Sequence, residues 1–218
     1  MLERFSGLFL PTVYELDFSL NDQGVETRSV PTPDGEIEIE IFSEKTNQWL
    51  KEHDCPIYLS TGGSIKSLAQ KGRIVSDWHN QYPEFETVTS RLSEVAFLPH
   101  QCFLPEKGKK TRKQQERMNQ EILGRLREED GIRNIDVIIG SIGDYTQLAL
   151  SHFDTKGKQL LDVKNKDGFI ITTTMVNSGL VSVRYEIVNK DLYVHGWWFR
   201  NKDNNFGTVL PLLVPSPK

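Results

Sequence analysis

Three groups of residues in this 218-residue chain have types and spacings that chemistry could use. The first is a run of cations. Lys107, Lys109, Lys110, Arg112, Lys113, Arg117, Arg125 and Arg127 share a stretch with two acids, Glu116 and Glu121, which makes it +6 in a chain of net charge −4. Its densest part straddles the expected start of a helix, where cations oppose the macrodipole. A cluster kept there despite that cost is easier to understand if it meets an anion; the plainer reading is a solvated loop and a solvent-facing helix. The second group is Tyr193, His195 and Trp197, alternate residues of an extended segment. Alternation puts their flat rings on one face and Val194 and Trp198 on the other. A row of rings open to solvent can stack on unpaired bases, with Arg184 and Arg200 as nearby cations. The third group is Asp144, Asp162 and Lys164, a carboxylate after one apolar segment and an Asp-x-Lys on the next.

This last arrangement resembles the short PD-(D/E)XK nuclease pattern. The resemblance spans 144–164 and implies that Asp144 and Asp162 hold a divalent ion such as Mg²⁺ while Lys164 assists an attacking water. Two weaker signals complete the set. Thr61-Gly62-Gly63-Ser64 lies between an expected strand and helix, where backbone N–H groups can approach a phosphate. His100 and Cys102 have the types of a thiol–imidazole pair but no visible orienting group. No second histidine stands at ligand spacing from His195, so no metal is expected there.

The elements that must position these residues follow from periodicity. The segment 135–213 reads as consecutive strands at 135–141, 160–164, 169–176, 180–188, 192–199 and 208–213. Breaks containing Asn165, Gly168, Asn177, Gly179 and Asn189 supply turn conformations. Loops this short join antiparallel neighbours. Upstream, 24–30 and 36–42 read as two strands around the turn from Pro31 to Gly35. In the second of them isoleucines alternate with Glu36, Glu38 and Glu40, so one face is covered and one is wet. Ser43 is placed to cap a helix over 44–52, 56–60 is a short strand, and 65–70 is a helix. Pro83 opens another helix, on which Phe85, Val88, Leu92 and Val95 share a face. The longest helix is 111–129, with the narrow apolar stripe Met118, Ile122 and Leu126 of a surface element.

These patterns predict one α+β domain spanning 1–218, with a flexible loop at 98–110. Its antiparallel sheet or partly open barrel is built largely from the C-terminal third, with the middle helices packed against it. The net charge excludes a general polycation, so any nucleic-acid contact must be local. No apolar run reaches the ~20 residues of a membrane span, and the first residues lack the pattern of a signal peptide. Two distant cysteines, Cys55 and Cys102, suit a reducing, cytoplasmic setting. The expected function is non-enzymatic nucleic-acid binding or an accessory role. It uses Lys107, Lys109, Lys110, Arg112, Lys113, Arg117, Tyr193, Trp197 and Arg200, without a cofactor. The alternatives are a Mg²⁺-dependent nuclease and a protein-interaction or self-associating subunit.

Overall fold

Isoleucine on one side and glutamate on the other shape the first hairpin of the computed structural model, which describes residues 19–32, 35–76, 83–99, 112–128, 130–160, 169–176, 179–199 and 209–217. Strands β1 (Ser19–Leu20), β2 (Glu26–Thr32) and β3 (Gly35–Glu40) pair antiparallel, with Ile39 buried and Glu36 and Glu38 exposed. Ser43 then caps α1 (Glu44–Glu52) by accepting from the Thr46 N–H. β4 (Ile57–Thr61) and α2 (Ile65–Gln70) follow, then β5 (Val75–Ser76) and the single turn α3 (Pro83–Glu86). The expected long helix after Pro83 is not formed. Leu92–Ala96 is β6, paired along its length with β4 and bridged to β3. Ser93, Glu94, Val95 and Ala96 are all buried, as in a strand covered on both faces.

The remaining elements are α4 (Arg112–Glu128), β7 (Ile135–Ile138), α5 (Ile142–Lys156), β8 (Ile170–Val176), β9 (Gly179–Val188), β10 (Asp191–Phe199) and β11 (Leu212–Pro215). The C-terminal third is therefore not a run of strands alone. Helix α5 interrupts it, opened by a reciprocal capping box between Ser141 and Asp144 and closed at Gly157. Its strands also divide. β7 and β11 join a seven-stranded sheet in the order β1-β2-β3-β6-β11-β7, with β4 beside β6. β8, β9 and β10 form a second sheet with β5, in the order β5-β10-β9-β8. The expected strand at 160–164 falls almost wholly outside the described residues.

The α+β class with mainly antiparallel pairing holds, in its helix-backed form. On one face of the first sheet, Ile122, Leu123 and Leu126 of α4 and Leu50 of α1 pack with Phe42, Ala96, Val137 and Leu213. On the other face, Tyr58, Val95, Phe97, Leu212 and Val214 meet Ile142, Tyr145 and Leu148 of α5. The second sheet covers α5 with Ile170, Val181, Val183, Leu192 and Val194. The layers thus run α1 and α4, first sheet, α5, second sheet. Among the described residues no helix is long and apolar enough to cross a membrane.

Two buried polar groups pin these layers. The Tyr145 hydroxyl donates to the Leu210 carbonyl at 2.6 Å and accepts from the Gly140 N–H at 3.1 Å. Glu94 accepts from the Phe42 N–H at 2.9 Å and from Arg28 at 3.3 Å. Burial still pushes its carboxyl above the usual range, against the pull of those two donors. The β9–β10 turn is a two-residue hairpin with φ of +50° at Asn189 and +73° at Lys190, as a type I′ turn requires. Lysine tolerates that region poorly, so Lys190→Gly is expected to stabilise the protein by about 0.5–1 kcal/mol in urea unfolding.

Candidate functional site

Strand β10 places its side chains by strict alternation. Leu192 and Val194 are each 1% exposed and face α5, while Tyr193 and His195 are half-buried on the outer face. Their rings lie parallel within 16°, with centroids 6.3 Å apart. Tyr193 sits opposite Glu186 and beside Val75, and His195 sits opposite Arg184. His195 Nε2 reaches diagonally to Glu186 Oε2 at 3.4 Å. Val75 and Val188, both exposed, bracket this patch. Towards β8 the face closes over, since Ile171 and Ser182 are buried. Trp197 pairs with Ser182 in register, but its side chain, like Arg200, lies outside the described residues. The patch therefore presents two parallel rings, apolar flanks, the cation Arg184 and the anions Glu186 and Asp191, the latter exposed opposite Val188. That arrangement can stack and hydrogen-bond; its own field is weakly negative.

The cationic segment lies elsewhere. Lys107, Lys109 and Lys110 fall outside the described residues, as does the side chain of Arg112. Lys113 and Arg117 are exposed on α4, with Arg117 paired to Glu121 at 3.0 Å. Arg127 is tied to Asp136 at 3.0 Å. The inward stripe of α4 is wider and more polar than its sequence suggests, since Gln115, Asn119 and Leu123 are buried beside Ile122 and Leu126. Between α4 and the outer face of β10 stand the first sheet, α5 and the second sheet. Lys113 and Arg117 are thus not brought together with Tyr193 and His195, and the expected single surface combining them is corrected on this point.

Asp144 is not a free carboxylate at a strand end. It is the third residue of α5, 4% exposed, and accepts from the Ser141 N–H at 2.8 Å as part of the cap. It also accepts from the Arg91 N–H at 2.8 Å and from the Arg91 guanidinium at 3.3 and 3.4 Å. Four donors already saturate its oxygens, which leaves little for a metal ion. Asp162 and Lys164 lie outside the described residues. Among the described residues no three His, Cys, Asp or Glu side chains are grouped to hold a metal.

The glycine pair in the β4–α2 turn serves packing. A Cβ on Gly63 would stand 2.7 Å from Gln147 Oε1, and one on Gly62 would stand 3.0 Å from the Leu92 side chain. Ser64 and Ser67 cap α2 reciprocally. The acceptor of Gln147, not a phosphate, occupies the close approach that Gly63 permits. Cys55 is buried, and burial followed by Asp54 pushes its thiol up to about 11, so it is unreactive. His100 and Cys102 lie outside the described residues.

One pair has no signature in the sequence. The Tyr58 hydroxyl and His152 Nδ1 are 2.7 Å apart beneath Phe97. The partners are 94 residues apart, so only the packing of α5 on β4 joins them. Burial, then Lys156 and Lys158, lowers the His152 pKa below 6.5. Protonation therefore penalises the folded state. The contribution of His152 is complete above the unfolded value and is lost as pH falls through the depressed folded one. Between about pH 7.5 and 5.5, the urea midpoint of the native protein should fall more than that of His152→Gln.

Comparison with protein-family models, with curated proteins and with solved structures returns no match.

Proposed function

We propose that the protein is a non-enzymatic binding module whose ligand is an unpaired nucleic-acid strand held on the outer face of the second sheet. The observation that carries this reading is the pair of parallel, half-buried rings of Tyr193 and His195 beside Arg184. Aromatic rings on a sheet surface accept any base through its π-face. Arg184 supplies a cation for one phosphate or a ring to stack on. A cytoplasmic setting, where unpaired strands occur, goes with this reading.

The test is fluorescence anisotropy with labelled single-stranded and duplex oligonucleotides at low and moderate salt. The single strand should bind, and Tyr193→Ala should weaken it by roughly 5- to 150-fold, the loss of about 1–3 kcal/mol per stacked base. Lys113→Glu with Arg117→Glu should leave it unchanged. No binding at low salt, or loss only with the α4 variant, ends the reading.

A second reading is favoured by Val75 and Val188, whose exposed side chains flank the rings. Aromatic, apolar and arginine side chains together also suit a protein partner. Concentration-dependent sedimentation that Val75→Asp abolishes, with no oligonucleotide binding, would establish self-association instead.

A further inference from the structure

Resting on that reading, we infer that the surface selects strands whose bases stack weakly on one another. The centroids of Tyr193 and His195 are 6.3 Å apart with their planes within 16°, as two residues of rise along a strand dictate. That separation is about twice the ~3.4 Å per nucleotide of a stacked strand. Two neighbouring bases lying over the two rings are too far apart to stay stacked on each other. A base entering between the rings leaves its neighbours altogether. In either geometry the ligand gives up its own base stacking to gain stacking on the protein.

The cost of that exchange depends on the base. Purines lose more contact on unstacking than pyrimidines, and sequence preferences at such surfaces follow stacking strength and backbone flexibility. A duplex, whose bases are locked in register and present only their edges, cannot make the exchange. Charge does not override the effect, because Arg184 is more than offset by Glu186 and Asp191 within the patch. The discrimination thus lies in the bases and not in the phosphates, and the ligand class is an extended, pyrimidine-rich single strand.

The test compares labelled oligothymidylate, oligodeoxyadenylate and a mixed-sequence duplex of equal length, about 12 nucleotides, against the native protein by anisotropy. Thymidylate should bind roughly tenfold more tightly than adenylate, equivalent to about 1.4 kcal/mol, and the duplex should bind least. Tyr193→Ala, checked for native thermal unfolding, should narrow the gap between thymidylate and adenylate. Equal or tighter binding of adenylate overturns the inference while leaving single-strand binding in place, whereas equal or tighter binding of the duplex overturns both. Absence of binding to all three overturns the function and the inference together.

Discussion

Gly143→Ala is expected to destabilise the protein by about 3 kcal/mol or more, at or beyond the upper end of ordinary overpacking costs. A Cβ at that position would lie 2.5 Å from the Thr89 carbonyl carbon and 2.6 Å from Ser90 N and Val88 O. All three are backbone atoms, so no side chain can swing aside. Either α5 or the segment before β6 must move. The latter is held by the Ser90 N–H bond to the Gly63 carbonyl and by the bridge between Ser64 and Thr89. Gly124, in the interior of α4, is the control. A Cβ there meets nothing within 4 Å, so Gly124→Ala should stabilise by about 0.5–1 kcal/mol. Urea unfolding of both variants, with unchanged m, checks the opposite signs.

Asp144→Ala is expected to cost about 3–5 kcal/mol, because it leaves a partly buried guanidinium and two backbone N–H groups without an acceptor. Arg91 is half-buried, whereas Asp144 is almost fully enclosed. Asp144→Asn keeps one acceptor and should cost less. The double variant Arg91→Ala with Asp144→Ala should lose less than the sum of the single changes, because the charge left unpaired by the first is removed by the second. Additive losses in that cycle would show that Asp144 acts through its backbone donors, the Ser141 and Arg91 N–H groups, and not through the Arg91 guanidinium. A metal-binding Asp144 predicts the reverse pattern, with small effects on stability and a gain in stability on adding Mg²⁺.

Local patterns in the sequence were enough for the elements whose neighbours are local. The Ile–Glu alternation of β3, the Ser43 cap of α1, the span of α2 and the meander β8–β9–β10 follow from residues within a few positions of each other. Helix α5 is the main failure, and its cause is physical. Residues from Ile142 to Leu150 are all buried, so this part of the helix has no polar face and no amphipathic period to detect. The Ser141–Asp144 capping box was the available signal. Leu92 and Val95 fit a helical spacing with Phe85 and Val88, yet both belong to β6, in which Leu92 is exposed and only Ser93, Glu94, Val95 and Ala96 are buried.

The candidate surface was legible to the same local depth. Period-two alternation correctly separated Tyr193 and His195 from Val194. What could not be read was the stacking order of layers, which depends on strand pairings distant in sequence, such as β11 with β7. That order puts the described cations of α4 on the opposite side from the rings. Gly62 and Gly63 were ambiguous for the same reason, since only the packing of α5 brings Gln147 against Gly63.

The most direct measurement is a backbone amide NMR titration with an unlabelled single-stranded oligonucleotide. Binding on the outer face of the second sheet predicts saturable shifts grouped on β10 around Tyr193 and His195, on β9 from Arg184 to Val188 and at Val75, with α4 silent. Shifts grouped on α4, or none at any position, would contradict it.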